Sequence, residues 1–162
     1  MAQDLFPKPT PKTVTAHDLN GNLFNVTTDK LCLRVGVYGI LVNDNNEVLL
    51  QRHPSTTLFG LPGGSVEMGE SVQETLLREF VEETGLIIKI GKLLAVENDY
   101  HTFQEKFCQS VFIFYSVSLV SGQLTGSNGE DVAETRFMSE SEITDKLILP
   151  VHFPLIKKHL CP

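Results

Sequence analysis

The sequence predicts one mixed α/β (α+β) domain, a central mixed β-sheet covered by helices on both faces. Three observations predict it. Runs rich in β-branched and apolar residues recur on either side of one central helical segment. That segment, residues 72–84, carries both a start and a stop signal. A second helical stretch, opened by Pro150, closes the chain. With 162 residues, 41% of them hydrophobic and 20% charged, the chain is long enough and apolar enough to bury a core without staples.

The elements follow in order. Residues 1–12 carry Pro7, Pro9 and Pro11 and read as an extended arm. Residues 13–16 and 23–27 alternate weakly around Asn20-Gly21, a strong hairpin signal. This hairpin, within residues 13–30, lengthens the sheet, pairs with a second subunit in a homodimer, or covers the same domain as a flap. The residues leave all three open. Residues 31–42 form a central strand, Asn43 to Asn46 a turn, and residues 47–52 the returning strand. Arg52 ends that strand and faces the loop 53–59, where its guanidinium suits either a substrate phosphate or plain solvent.

Pro62, Gly63 and Gly64 forbid regular structure and let backbone atoms approach a ligand closely. Ser71 and Glu74 form a capping box, so a helix begins at Val72. Gly85 terminates it. Beyond it, residues 87–97 and 109–119 predict two long strands joined by a loop, 98–106, holding Tyr100, His101, Phe103 and Glu105. Residues 120–129 are a glycine-rich connection. Residues 133–138 predict a short strand, and Ser139 or Ser141 caps a short helix ending near Lys146. The last helix runs from Pro150 towards Leu160, with Val151, Phe153, Leu155 and Ile156 on its apolar stripe.

The central helix carries an electrostatic conflict. Glu79, Glu82 and Glu83 fall three and four residues apart and share one surface, where like charges repel by a few tenths of a kcal/mol per pair. They also crowd the negative end of the helix dipole, at about 0.3–1 kcal/mol each. Arg78 offsets part of this. An acidic helix face is commonly just solvated. The alternative is a compensating hard cation, Mg²⁺ or Mn²⁺, which oxygen ligands suit.

The surrounding pattern decides between them. From Gly64 the chain reads Gly, five residues, Glu70, seven residues, then Arg78-Glu79-Phe80-Val81-Glu82-Glu83-Thr84-Gly85-Leu86. This resembles the signature of the Nudix hydrolases, G-x(5)-E-x(7)-R-E-U-x-E-E-x-G-U, where U is bulky and apolar. Every fixed polar and glycine position is filled. Phe80 stands where an aliphatic residue is more usual, a departure that bears on packing rather than chemistry.

The resemblance implies the Nudix αβα sandwich and a Mg²⁺-dependent pyrophosphohydrolase, with Mn²⁺ as substitute, acting on a nucleoside diphosphate linked to some group X. Carried over by position, Glu79, Glu82 and Glu83 are metal ligands and the Gly63 carbonyl adds an oxygen. Glu70 lies in the outer shell or binds metal only with substrate. Arg78 holds the carboxylates in place. The general base varies within the family: Glu79 is the choice inside the motif, and Glu105, Glu130 and Glu134 are later candidates. Tyr100, Phe103 and Phe137 are candidates to stack on a base or sugar, and His101 to meet a phosphate, although buried aromatics more often belong to cores. Hydrolases of ADP-ribose tend to carry a proline shortly after the motif. None occurs here between Pro62 and Pro150. The chain leans instead to a nucleoside triphosphate or a small nucleotide sugar. A Nudix domain kept only as a nucleotide-sensing regulatory module is the alternative, although such domains often lose motif carboxylates.

A net charge of −7 argues against nucleic acid as a partner, which normally needs a basic face. It leaves room for a small anionic nucleotide if a metal supplies positive charge locally. Cys32, Cys108 and Cys161 are odd in number and lack metal-like spacing, which predicts reduced thiols in a cytoplasmic protein. The first residues hold no apolar signal segment, and no apolar run approaches the ~18 residues of a membrane helix.

Overall fold

The computed structural model describes residues 10–19, 21–125 and 132–160. Its elements are β1 (Thr13–His17), β2 (Leu23–Thr27), β3 (Cys32–Leu41), β4 (Val48–Arg52), β5 (Phe59–Gly60), β6 (Gly63–Ser65), α1 (Val72–Thr84), β7 (Leu86–Phe103), β8 (Lys106–Gly122), β9 (Glu134–Met138) and α2 (Phe153–Leu160). One-turn 3₁₀ helices occupy Thr28–Lys30 and Glu140–Glu142.

The expected central sheet is two sheets. Six strands run in the order β2-β1-β7-β8-β3-β6, and three more in the order β5-β4-β9. The larger sheet is mixed: β3 runs parallel to β8, while β7 with β8 and β3 with β6 are antiparallel. An isolated bridge between Val42 and Val48 connects the sheets at the β3–β4 turn.

Strand alternation divides the core in two. On one side Ile40, Leu50, Phe112 and Phe114 meet Ile156 and Leu160 of α2. On the other, Val37, Leu41, Leu49 and Val117 meet Leu76 and Phe80 of α1. Strands β3, β4, β7, β8 and β9 contribute to both clusters, so the sheets form the filling between α1 and α2. This is the predicted sandwich.

The boundaries of α1 are those the sequence predicts, whereas α2 begins at Phe153 rather than Pro150, and the helix expected after Ser139 is a single 3₁₀ turn, Glu140–Glu142, rather than one reaching Lys146. Ser71 and Glu74 exchange both bonds of the capping box, and Gly85 closes α1 at φ 73°. The hairpin of residues 13–27 forms and extends the large sheet: His17 pairs with His101 beside the end of β7. Phe80, the unusual residue of the motif, is fully buried, and its ring fills the place of the side chain that Gly39 lacks.

Two further expectations fail. Residues 98–106 are not a loop: β7 and β8 continue to Phe103 and Lys106, and the turn is only Gln104-Glu105, at φ 47° and 62°. Tyr100, His101 and Phe103 are therefore strand residues. The reduced-thiol expectation fails for two of the three cysteines, because Cys32 and Cys108 face each other across β3 and β8 and form a disulfide. With it goes the thiol argument for a cytoplasmic protein. Among the described residues no helix is long and apolar enough to cross a membrane.

Candidate active site

The site is built where α1 leans on the glycine loop. Pro62 accepts the Gly39 N–H at 3.0 Å, and β6 then pairs with the middle of β3. Gly63 sits at φ 133°, and a Cβ there would collide with the Val37 carbonyl. At Gly64 a Cβ would intrude on the Glu79 carboxylate, lying 2.6 Å from its carboxyl carbon. The two glycines thus let a backbone segment and a helical acid occupy adjoining space that any side chain would take.

Arg78 organises the acids. It holds Glu70 by two bonds, Nε to Oε1 at 2.8 Å and Nη2 to Oε2 at 3.0 Å, and its Nη1 donates to Glu79 at 3.0 Å and Glu82 at 3.1 Å. Fork geometry of this kind is what guanidinium offers and ammonium does not. Glu83 takes the other direction and accepts the Gly63 N–H at 2.9 Å. The four motif acids are thereby tied to one guanidinium and one backbone amide.

Their electrostatics differ. Arg78, then the Thr75 hydroxyl, hold the Glu70 carboxyl down at about 2. The same bond to Glu70 raises Arg78 above its already high value. Burial pushes Glu79 up, against the pull of Arg78. Burial thus works against the charge of Glu79, whereas the Glu82 side chain is 57% exposed.

This donor set fits a hard divalent cation in chemistry: every donor is oxygen, and Gly64 keeps the space beside Glu79 clear. Among the described residues, however, no three such side chains are already gathered around one point. Arg78 holds them instead.

The other predicted residues are spread around this centre. Arg52 pairs with Glu134 at 3.4 Å across β4 and β9, and lines a cleft of about 480 Å³ with Thr56, Thr57 and Thr102. Asp18 and Leu19, from the turn of the N-terminal hairpin, line it too. Glu134 also binds Arg136 at 3.1 Å. Glu105 lies in the β7–β8 turn, and Glu130 is outside the described residues. Phe137 packs on the α1-side cluster. Tyr100 alternates with His101 and Phe103 and so faces away from them. Two residues had drawn no attention. His152, 2% exposed, accepts the Leu61 N–H at 2.9 Å through Nδ1 and so pins the entry to the glycine loop. Arg34 donates to Ser65 at that loop's exit at 2.7 Å. For His152 the sequence held no signal. For Arg34 the signal was the alternation Arg34, Gly36, Tyr38 along one face of β3.

Comparison with known proteins decides the family. Residues 33–159 match the NUDIX domain. The chain belongs to the Nudix family. The match begins after the hairpin of residues 13–27 and ends inside α2. An ADP-ribose pyrophosphatase of Methanocaldococcus jannaschii is 37% identical over 105 residues, covering 64% of this chain and 60% of that protein. A putative 8-oxo-dGTP diphosphatase of Bacillus subtilis is 29% identical over 108 residues, covering 67% of this chain and 68% of that one. This Nudix chain thus spans roughly three fifths to two thirds of the length of these relatives. Among solved structures, a UDP-X diphosphatase superposes with a TM-score of 0.63 at 26% identity, over 79% of this chain and 63% of its own. A Nudix hydrolase from Nitrosomonas europaea has the same fold with a TM-score of 0.63 at 18% identity, over 98% of this chain and 90% of its own. That coverage takes in the N-terminal hairpin.

Proposed function

We propose that this Nudix chain is a Mg²⁺-dependent pyrophosphohydrolase that cleaves a nucleoside diphosphate linked to X, releasing a nucleoside monophosphate. The observation that carries the reading is the fan of bonds from Arg78 to Glu70, Glu79 and Glu82, set against the Gly63-Gly64 segment. Relatives named pyrophosphatase and diphosphatase support it.

Glu79, Glu82 and Glu83 would hold the metal with the Gly63 carbonyl, and Glu70 would support them. When bound, the metal neutralises phosphate charge and lowers the pKa of a bound water. The protein's own part is arrangement. Arg78 restrains Glu70, Glu79 and Glu82 through its bonds, which reduces the side-chain entropy they would lose on binding. Within the motif, Glu79 is the acid that would accept a proton from the attacking water. Arg52, which lines the cleft, would meet a phosphate on giving up Glu134. X is a phosphate or a small sugar: the absence of a downstream proline favours a nucleoside triphosphate or nucleotide sugar, whereas the name of the Methanocaldococcus jannaschii relative brings ADP-ribose into the same panel.

The test is turnover of a nucleoside triphosphate, a UDP-sugar and ADP-ribose with Mg²⁺, by the wild type and by a variant carrying Glu82→Gln and Glu83→Gln. The variant should lose at least 10²-fold in kcat, within the range seen when charge-stabilising groups are removed. Mg²⁺ should also raise the melting temperature of the wild type and not of the variant. Equal turnover by both proteins would remove metal catalysis through α1.

A further inference from the structure

The cleft that the motif does not account for is lined by Arg34, Val35, Ser65, Val66, Phe103 and Lys106, and has a volume of about 260 Å³. Arg34 dominates it. Its guanidinium lies 4.5 Å from the Phe103 ring centroid and 5.5 Å from that of Phe112. Its Nε donates to Ser65 Oγ at 2.7 Å and its Nη2 to Tyr38 Oη at 3.3 Å. The conformation is enforced from below. Gly36 lies between Arg34 and Tyr38 on that face of β3, and a Cβ there would come within 3.0 Å of Arg34 Nη1. The side chain is half-buried.

Among the described residues no carboxylate lies within ion-pair distance of Arg34. The nearby acid on β7, Asp99, is bonded to His17 at 3.1 Å. Partial burial of a charge without a counter-charge is costly. Aromatic faces recover part of that cost. Two neutral hydroxyls use only two of the five guanidinium donors. Lys106 adds a second cation at the same cleft. In a chain of net charge −7, two cations converging on a cavity with no acid between them is a local inversion of the field.

We propose that this cleft is an anion subsite in which Arg34 receives a phosphoryl group of the substrate, directly beyond the glycine loop. It rests on the reading of the site as one for phosphoric anhydrides and adds the residue that fixes how the substrate lies. Ser65 ties the two together: it follows Gly64, which shelters Glu79, and it accepts the Arg34 Nε–H. A phosphoryl oxygen taking the unused Nη donors lies against the Phe103 edge of the cleft, with Lys106 at its mouth. Arg34 thus acts as a binding and orienting residue.

The experiment uses inorganic pyrophosphate as probe with EDTA present, so that binding is read without metal or turnover. Isothermal titration compares the wild type with Arg34→Gln and Arg34→Lys. Arg34→Gln should weaken pyrophosphate about tenfold or more, and Arg34→Lys by less, since a point charge keeps attraction but not the fork. With Mg²⁺, Arg34→Gln should raise KM for the best substrate by a similar factor while kcat stays within about threefold. The Glu82→Gln, Glu83→Gln variant should bind the probe as well as the wild type or better, which separates loss of catalysis from loss of this subsite. Equal pyrophosphate affinity for Arg34→Gln and wild type overturns the proposal. A wild-type NMR titration removes dependence on the variants' folding: the Arg34 Nε–Hε resonance should shift with pyrophosphate, and an unmoved resonance overturns the proposal equally.

Discussion

His152 shows how one buried side chain far along the sequence governs the motif loop. It lies among Tyr38, Phe112 and Phe114, with ring centroids 4.6, 6.5 and 5.4 Å away. Burial first, and the charge on Arg34 second, push its pKa down to about 3. A neutral ring is what the site needs, because Nδ1 must accept from Leu61. The linkage has a definite sign. In the unfolded chain His152 protonates near its usual value of 6.5 and in the folded chain near 3, so the unfolded state binds more protons between those values. Stability is complete above pH 6.5 and falls as the medium is acidified, by at most about 1.4 kcal/mol per pH unit from this residue. Thermal unfolding between pH 6.5 and 4.5 should therefore show a downward slope that flattens in His152→Gln. The same variant should be less stable at pH 7 and, with Leu61 released, slower in turnover. A wild-type melting temperature constant over that interval would refute the assignment. No sequence signal pointed here. A lone histidine after Pro150 reads as part of a helix start, and only the packed fold brings it to Leu61.

The elements teach a different lesson about what a linear pattern can hold. The α1 boundaries were legible because caps are local: Ser71, Glu74 and Gly85 act within one turn. The β7–β8 hairpin was misread because its polar residues find partners across the sheet. Asn98 accepts from Gln109 at 3.0 Å, Asp99 meets His17, and His101 meets Ser110 at 2.7 Å. Each would signal a loop if unpartnered. The turn itself uses Gln104-Glu105, left-handed without glycine or asparagine, so it carries no standard signature. Packing between elements gives the prediction at this scale. A methyl group on Gly39 would lie 2.6 Å from the Phe80 ring, which is fully buried and has nowhere to go. Gly39→Ala should destabilise the fold by about 1–3 kcal/mol, the usual range for overpacking. Phe80→Leu, the more usual aliphatic choice, leaves a gap of its own. Combined, the two should cost clearly less than their sum, a coupling that denaturant titration of the four proteins measures. Strict additivity would show that Gly39 does not exist to seat Phe80.

At the scale of the whole molecule, legibility follows sequence separation. Glu79, Glu82 and Glu83 lie with Arg78 on one helix, so spacing alone put these three acids on one face. Arg52 and Glu134, or Cys32 and Cys108, become neighbours only through the sheet order. Three cysteines with no regular spacing suggested thiols. The parallel register of β3 and β8 instead places Cys32 opposite Cys108, 76 residues apart in sequence. A cross-link over so long a loop restricts the unfolded chain far more than the folded one, a contribution of typically 2–4 kcal/mol. It also joins two strands that border the Arg34 cleft. Unfolded without reductant, the protein should therefore present one titratable thiol, from Cys161, and after reduction all three of its cysteines. Reductant should lower the melting temperature by roughly 5–10 °C for a chain of this size. The Cys32→Ser, Cys108→Ser variant should melt at the lower temperature and ignore reductant. Three reactive thiols in protein unfolded without reductant would place the two cysteines side by side but unbonded, and the stability difference should then vanish.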